Sequence, residues 1–545
     1  MTYLNNVMDT QKTRQTEPLA HRPEQIVNSA GGFVWAVDNW TRLDRFLILG
    51  SEAGSYYVGE RELTLENVAA VRECLRADGL RVVRTVVEIS NSGRAPKNDP
   101  ALFALALAAS PKFAGREINT AALQALPQVA RTGTHMCNFA AFVETLRGWG
   151  RGLRSAVASW YLDKPASELA YQMLKYQRRN GWSHADLLRL AHPKAVTPAH
   201  NALFQWAVDG EPGHLASPEI LDGELRQIHA CELAKKAAGE DELIHLIEDY
   251  RLTHEMIPSQ WKNSARVWEA LLHAMPYMAL VRNLGKLTAV GLLQPQSAVS
   301  ALVVSRLTDR KRVANSRVHP IALLAALLIY KQGHGEKGDL KWAPVADVID
   351  ALDEAFYLAF DNVAPSGKRI YLAIDASGSM QGSVCNGMPF LTTAMAATAQ
   401  AMVFARTELN CTIAAFHRQI WHVDITRKDR LDRACEAIAH VSCSTDASLP
   451  MRDALERGLA VDAFVILSDN ETWAGEQHPV QALEQYRRGT GIAAKLVVIA
   501  MAANGYSIAD PDDAFQMDVA GFDASVPTLV TEFIRGAGCQ TARDC

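Results

Sequence analysis

The stretch Arg369-Ile-Tyr-Leu-Ala-Ile-Asp-Ala-Ser-Gly-Ser-Met380 decides the fold of the C-terminal part of the chain. Its opening is a short apolar run, which is typical of a strand buried on both faces of a parallel sheet. The run ends at Asp375, and a turn rich in glycine and serine follows. A turn of this kind precedes a helix in domains where strands and helices alternate. The segment therefore predicts the first strand of an α/β domain.

The residues that follow repeat this alternation. Short apolar runs predict strands over 411–416, 462–467, 495–501 and 518–520. Longer segments between and after them predict helices over 389–408, 430–440, 479–488 and 526–535. Apolar strands that alternate with helices indicate a doubly wound sheet covered on both faces, and ligands bind such sheets beyond the carboxyl ends of the strands.

The N-terminal two thirds of the chain follow a helical pattern. Apolar residues recur at spacings of three and four, as at Leu123, Leu126 and Val129. Helices are predicted over 66–78, 100–110, 120–131, 138–149, 153–162, 165–180, 184–191, 261–272, 276–284, 297–307 and 319–331. Many short helices without a convincing strand favour stacked helix pairs, although no strict sequence period accompanies them. We divide the chain into a flexible N-terminus (1–22), a helical-repeat module (23–363) and an α/β domain (364–545).

Composition and charge narrow the classes of function. The 545 residues are 48% hydrophobic and carry a formal net charge of -5, so a strongly basic whole-chain footprint for nucleic acid is absent. Residues 361–545 hold 15 basic and 22 acidic side chains, whereas residues 1–360 have a net charge of +2. A polyanion would therefore bind the N-terminal part through local patches.

Cysteines and apolar stretches bear on the compartment. The nine cysteines form no C-x-x-C pair, which argues against a disulfide framework and against a structural zinc site. The N-terminus has no apolar core of a signal peptide, and the longest apolar stretches are about half of the roughly 20 residues that span a bilayer. We expect a soluble protein in the cytoplasm.

A cluster of oxygen ligands is predicted at the edge of the α/β sheet. Asp375, Ser377 and Ser379 follow the first strand, and Thr445 and Asp469 are expected at two further strand ends. A set of oxygens without histidine or cysteine favours a hard cation such as Mg²⁺. The alternative is a strand-to-helix cap, because Asp and Ser are common in such turns. Phosphoryl transfer on Asp375 would need a lysine and a second carboxylate that the sequence does not nominate, so a binding site is expected and a catalytic one is not.

Two basic segments stand out in the helical part. The first contains Lys175, Arg178, Arg179, His184, Arg189, His192 and Lys194, and the second contains Arg310, Lys311 and Arg312 in a predicted loop. Lys175 and Arg179 are expected one turn apart on a helix, and His184 and His192 on the next helix. Such groups contact RNA phosphates and bases. On composition alone a solvated basic face is favoured. A smaller basic feature, Arg147, Arg151 and Arg154 near Trp149, could equally be a polar helix edge.

Several segments together resemble one protein family. They are Arg45-Phe-Leu-Ile-Leu-Gly-Ser-Glu-Ala-Gly-Ser-Tyr-Tyr57, residues 175–194, Arg282-Asn-Leu-Gly-Lys286, Ser468-Asp-Asn-Glu-Thr-Trp473 and Gly505-Tyr-Ser-Ile-Ala-Asp-Pro-Asp-Asp513. The chain resembles bacterial members of the Ro ribonucleoprotein autoantigen family over its whole length. The resemblance implies a TROVE module, which is a monomeric ring of HEAT-like helical repeats, followed by a von Willebrand factor A domain.

The resemblance also implies function, cofactor and partners. Members bind small noncoding Y RNAs on the outside of the ring and single-stranded ends of misfolded or damaged RNA in its hole. Bacterial members are linked to RNA quality control and stress survival, partly by tethering polynucleotide phosphorylase. Position by position, the family's Y RNA contacts fall on Lys175, Arg179 and His192. A non-enzymatic RNA-binding protein is therefore expected, with a protein-interaction scaffold as the alternative and a nuclease as the least expected class.

The oxygen cluster resembles the metal-ion-dependent adhesion site of von Willebrand factor A domains, which has the pattern D-x-S-x-S…T…D. In that reading Asp375, Ser377, Ser379, Thr445 and Asp469 would hold Mg²⁺ or another divalent cation. The family often has a Gly-Gly pair before the Thr-Asp of the second loop, whereas this chain has Cys443-Ser444 there. The departure concerns the conformation of the loop and leaves the threonine ligand in place.

Overall fold

The computed structural model describes residues 12–20, 22–50, 60–210, 223–335, 338–360, 363–385, 390–426, 428–438, 444–523 and 525–536, with no side chains for residues 60–65. Helices dominate the part before residue 360. They are α1 Asn39–Leu49, α2 Glu60–Ser92, α3 Asp99–Ala108, α4 Arg116–Val129, α5 Gly133–Leu146, α6 Arg151–Leu162, α7 Ala166–Lys175, α8 His184–Ala191, α9 Pro198–Asp209, α10 Arg226–Ala234, α11 Glu240–Tyr250, α12 Ala265–Ala274, α13 Tyr277–Ala289, α14 Ala298–Leu307, α15 Arg310–Ser316, α16 Pro320–Gln332 and α17 Ala346–Leu358.

Local sequence determines where these helices begin and break. The hydroxyls of Ser264 and Ser297 accept hydrogen bonds from backbone N–H groups of the first turns of α12 and α14. Helix α2 is interrupted at Asp78, whose backbone is not helical (φ -154°), and residue 78 is where the predicted helix ends. Within the described residues no single helix is both long and apolar enough to cross a bilayer; α15 and α16, bent by 115°, pass that test only as a pair.

The helical module closes on itself. His319, at the start of α16, has its Nε2 3.2 Å from the carbonyl oxygen of Arg94, which lies between α2 and α3. Residues 225 positions apart are therefore in direct contact. This contact joins the segment between α2 and α3 to the start of α16, as expected for the HEAT-like ring.

The C-terminal part is a six-stranded sheet with helices around it. Its strands are β5 Arg369–Asp375, β6 Asn410–Phe416, β7 Ile420–His422, β8 Ala463–Ser468, β9 Lys495–Ala500 and β11 Gln516–Ala520. Their order is β11-β9-β8-β5-β6-β7, and all neighbours are parallel except β6 and β7. The helices are α18 Gly378–Gly382, α19 Thr393–Thr407, α20 Leu431–Ala437, α21 Leu449–Glu456, α22 Pro479–Thr490 and α23 Ser525–Arg535.

Strand β5 shows why the sheet is covered on both faces. Ile370, Leu372 and Ile374 belong to the large apolar core that continues into the helical module. Tyr371 and Ala373 point the other way, into a smaller core. Successive side chains of a strand alternate between faces, so the apolar run is a strand buried on both sides. The predicted doubly wound domain is confirmed.

The N-terminal residues pack on the α/β domain. Strands β1 Gln25–Val27 and β2 Phe33–Ala36 form a small sheet with β10 Tyr506–Ser507. Residues 1–11 and 21 of the predicted flexible N-terminus lie outside the described residues. Gln15, however, is fully buried and bonds to Asp446 and to the backbone of Gln477. The prediction of a flexible segment therefore does not hold for the part around Gln15.

A buried arginine joins the two parts of the chain. Arg45 in α1 is fully buried and donates to the carbonyl oxygens of Asn504 and Tyr506, at 2.8 Å each. It also donates to Asp518 Oδ1 at 2.6 Å. A buried guanidinium needs such partners because leaving its charge unpaired is costly. Helix α1 is thus fixed to the edge of the sheet.

Candidate nucleic-acid interface and cation site

The first basic segment folds as a helix, a hairpin and a second helix. Helix α7 ends at Lys175, and β3 Arg178–Arg179 pairs with β4 Trp182–Ser183. The turn is Asn180-Gly181, both with positive φ (48° and 82°), as a tight two-residue hairpin requires. Arg179 is therefore on a strand, and the prediction that it shares a helical face with Lys175 is wrong.

The hairpin exposes both of its arginines. Arg178 and Arg179 are exposed, whereas the ring of Trp182 lies 5.3 Å from that of Trp149. Asn180 Nδ2 donates to Asn138 Oδ1 on α5 at 2.9 Å. The hairpin is thus held on α5 while its arginines remain available to a ligand.

His184 is a core residue, and its prediction as an RNA contact is wrong. Its side chain is buried, its Nδ1 is 2.8 Å from the Tyr161 hydroxyl, and its ring stacks on Trp160. Burial lowers the pKa of His184 to about 4. Gly133 approaches so closely that a Cβ there would lie 2.8 Å from His184 Nε2. The capping box of Ser183 and Asp186 starts α8 at this point and directs the ring inward.

The end of α8 presents the other predicted groups to solvent. His192 ends the helix in the left-handed conformation (φ 48°) and is exposed, as is Lys194. Arg189 is exposed and donates to the carbonyl oxygen of Val208 at 2.8 Å. His192 therefore does not share a helical face with His184, although it does lie on the surface.

Lys175 lies at the mouth of a cavity of about 580 Å³. Its Nζ donates to the Tyr171 hydroxyl at 3.1 Å and is 3.9 Å from Glu255 Oε1. Burial lowers the pKa of Lys175, but the bond to Tyr171 and the nearby charges outweigh it and leave the pKa raised. Lys175 is therefore a cation at neutral pH, partly compensated by Glu255. Glu255 could not be predicted from the sequence, because 80 residues separate it from Lys175 and no local spacing links the two.

Two further cavities flank the Trp149–Trp182 pair. Arg178, Trp182 and Arg189 line one of about 460 Å³. Trp149, His192 and Lys194 line the other, of about 650 Å³. Most of the predicted cations of this segment therefore lie on one continuous surface around α8.

The second basic segment is a short helix. Arg310, Lys311 and Arg312 are the first three residues of α15, and all three are exposed. Asp309 Oδ1 accepts from the backbone N–H of Arg312 and starts the helix. The prediction of a loop is wrong because it overlooked this cap. Helix α15 directly precedes α16, the helix whose start contacts Arg94.

The predicted oxygen cluster is brought together at the edge of the sheet. Asp375 ends β5 and Asp469 follows β8, its neighbour in the sheet. Ser377 and Ser379 lie next to them, with their hydroxyl oxygens 3.0 Å apart. All of these side chains and that of Thr445 are at most 4% exposed.

Thr445 reaches this edge by a different route from the predicted one. It lies between α20 and α21 and not at a strand end. Its carbonyl oxygen accepts from the backbone N–H groups of Trp473 and Ala474, at 3.0 and 2.9 Å. The loop that follows β8 therefore holds Thr445 in place. Cys443 lies outside the described residues.

Two neighbouring carboxylates give the cluster its electrostatic character. Burial, together with the charges of Asp375 and Glu471, raises the pKa of Asp469 well above its ordinary value. Burial likewise raises the pKa of Asp375, whose Oδ2 accepts from Ser468 at 2.6 Å. Asp469 Oδ2 is buried and has no hydrogen-bond partner in the described part of the chain. An orphaned carboxylate oxygen beside two hydroxyls and a second carboxylate fits a hard cation.

Both parts of the chain match families of known proteins. The TROVE domain family matches residues 26–210 and 249–328, and the Ro60 vWA domain family matches residues 369–534. The chain belongs to the Ro60 family. Both domains occur in the expected order, so the predicted fold class and family are confirmed.

Individual relatives agree over nearly the full length. The RNA-binding protein RO60 of Deinococcus radiodurans is 42% identical over 528 residues, which cover 96% of this chain and 97% of that one. The RNA-binding protein RO60 of Caenorhabditis elegans is 34% identical over 94% of this chain and 90% of that one. The crystal structure of the Deinococcus radiodurans Ro (RSR) protein superposes with a TM-score of 0.70 at 41% identity, covering 92% of this chain and all of that one.

Proposed function

We propose that this protein binds RNA, and that a small noncoding Y-like RNA occupies the outer surface formed by the β3–β4 hairpin, α8 and the end of α7. The observation that carries the proposal is the concentration of exposed basic side chains there, at Arg178, Arg179, His192 and Lys194. A structured RNA is recognised through its backbone by such groups. Membership in a family of proteins named for RNA binding puts the protein among binding proteins and not among enzymes.

Binding is expected to rest on few phosphate contacts. The helical part is nearly neutral overall, and Glu255 partly compensates Lys175. Each neutralised phosphate changes the slope of log K against log salt by about 0.7–0.9. We therefore expect the affinity for RNA to depend only weakly on salt concentration. We also expect the substitution of a single contact residue to lower that affinity markedly.

The experiment compares Lys175→Ala, Arg179→Ala and His192→Ala with the wild type in a gel shift with Y-like RNA from the same cells. Arg84→Ala is the control, because Arg84 is exposed on α2 and only loosely paired with Asp78, at 3.8 Å. We expect weaker binding in the first three variants and unchanged binding in the control. Wild-type binding by all four variants would refute this surface.

We further propose that the ring takes single-stranded ends of misfolded or fragmented RNA in its hole, in RNA quality control and the stress response of the cytoplasm. The closed helical module supports this, as does the basic helix α15 near the closure. The tethering of polynucleotide phosphorylase by the bound Y-like RNA is part of the same proposal. Binding of a duplex with a single-stranded tail, but not of a blunt duplex, in a manner that Arg310→Ala and Lys311→Ala weaken, would support it. Equal affinity for both probes would contradict it.

A second proposed function belongs to the oxygen cluster. We propose that Asp375, Ser377, Ser379, Thr445 and Asp469 hold Mg²⁺ or another divalent cation. The orphaned Asp469 Oδ2 and the mutual repulsion of two buried carboxylates favour it. When bound, such an ion offers a free coordination position to an acidic group, which is how the domain would act as a protein-interaction site.

Calorimetric titration with Mn²⁺ tests this second function. The wild type should bind one ion, and Asp375→Ala should bind none. Asp462→Asn is the matched control, because Asp462 immediately precedes β8, at the opposite end of the strand, and pairs with Arg369 there. Identical titrations of wild type and Asp375→Ala would contradict metal binding by these residues.

A further inference from the structure

The cavity lined by Trp149, His192 and Lys194 extends as a groove to two arginines at the start of α6, Arg151 and Arg154, which the proposed function does not involve. Its volume is about 650 Å³, and it lies between the first turns of α6 and the chain after α8. Arg151, Arg154, His192 and Lys194 line it, and all four are exposed. No aspartate or glutamate is among its lining residues.

The basic side chains that line this groove have no acidic partner in the part of the chain that the structure describes. Over the described ranges, the side chains of these four residues form no ion pair and no hydrogen bond. Arg147, close by in sequence, differs, because it donates to the carbonyl oxygen of Ala109 at 2.7 Å. Like charges gathered without acidic neighbours repel each other, and an anion relieves that repulsion.

The backbone at the start of α6 also favours an anion in the groove. Helix α6 begins after Gly150, which has no side chain to cap it, and its first turn contains no acidic residue. Unpaired N–H groups at the start of a helix favour an anion. Helix α4 also begins after a glycine with an arginine in first place, Arg116, but Glu117 follows there. The two helix starts therefore form a natural comparison.

The walls of the groove favour a nucleotide over a small ion. Trp149, Ala158 and Leu162 give it an apolar side, against which a sugar or a base can pack. We propose that the groove holds phosphate groups of the bound RNA strand and so extends the RNA path from the β3–β4 hairpin, past His192, to Arg151 and Arg154. The assignment rests on the proposed RNA binding of the hairpin surface.

The test uses the full-length protein and a fluorescent RNA hairpin with single-stranded tails, titrated at several salt concentrations. The groove variant is Arg151→Ala with Arg154→Ala, the hairpin-surface variant is Lys175→Ala with Arg179→Ala, and the control is Arg116→Ala. Two lost phosphate contacts should reduce the magnitude of the salt slope of the groove variant by about 1.4–1.8. The control should keep the wild-type slope, and both the groove variant and the control should keep the wild-type melting temperature because Arg151, Arg154 and Arg116 are exposed.

The outcomes separate the two proposals. A groove variant with the wild-type slope, beside a weakened hairpin-surface variant, overturns the groove and leaves the proposed function standing. Weakening of the groove variant alone supports the groove and contradicts the hairpin surface. Wild-type RNA binding by both variants overturns the groove as well as the proposed hairpin surface. If the groove variant keeps its RNA slope but loses calorimetric binding of inorganic phosphate, the groove is a site for free phosphate and the RNA assignment falls.

Discussion

Two histidines at opposite ends of α8 give opposite predictions for the same substitution. His184→Ala removes the partner of the fully buried Tyr161 hydroxyl, which costs about 1–3 kcal/mol, and leaves a cavity that adds about 2 kcal/mol more. We therefore expect a loss of about 3–5 kcal/mol in the free energy of unfolding. Because the ring of His184 lies in the core, the folded variant should bind RNA within twofold of the wild type.

His192→Ala should weaken RNA binding and leave the stability of the protein nearly unchanged. The side chain is exposed and ends α8, so the free energy of unfolding should change by less than about 0.5 kcal/mol. If His192 contacts an RNA phosphate, its loss should weaken binding by about 1–2 kcal/mol, which is five- to thirtyfold in Kd.

Urea unfolding followed by circular dichroism measures the first quantity, and fluorescence anisotropy with Y-like RNA measures the second. Binding is read where both variants are fully folded, so stability does not enter the affinity. The reasoning is refuted if His184→Ala weakens RNA binding without lowering stability, or if His192→Ala lowers stability as much as His184→Ala does.

Three further predictions follow from particular contacts. Arg45→Ala should lower the free energy of unfolding by about 3–5 kcal/mol in urea titrations, because it removes the ion-pair partner of Asp518 at the junction of the two parts, whereas Arg84→Ala should leave the free energy of unfolding nearly unchanged. Glu255→Gln should tighten RNA binding a few-fold in anisotropy titrations, since the carboxylate 3.9 Å from Lys175 Nζ competes with phosphate; weaker binding would contradict this role. Stability should fall as the pH is lowered from about 6.5 to 4, because the folded-state pKa of His184 is about 4 and the unfolded chain takes up the proton first; His184→Gln should show a shallower decline, by up to about 3 kcal/mol.

Much of the fold could be predicted from local sequence. Strands β5, β6, β8 and β9 are apolar runs long enough to be recognised, and the helices around them have distinct periodicity. The β3–β4 hairpin was missed because its strands are two residues long, although Asn180-Gly181 is a typical hairpin turn. The pairing of β2 with β10 joins Ala36 to Tyr506, and no local pattern predicts a contact of that range.

Local sequence likewise predicts only part of the two candidate sites. The positions of Asp375 and Asp469 follow from the rule that ligands lie beyond strand ends. Thr445 is held beside the loop after β8 by backbone hydrogen bonds, which spacing in the sequence does not encode. His184 and His192 are alike in sequence terms, and only the packing of Tyr161, Trp160 and Gly133 separates the core residue from the surface one.

We propose that RNA lies on the outer surface around α8. Ultraviolet crosslinking of the full-length protein to RNA in cells, followed by mass spectrometry of the crosslinked peptides, tests it most directly. We predict crosslinks within residues 175–194, which include Trp182, and at the neighbouring Trp149. Crosslinks confined to residues 364–545, with none on the hairpin or α8, would contradict it.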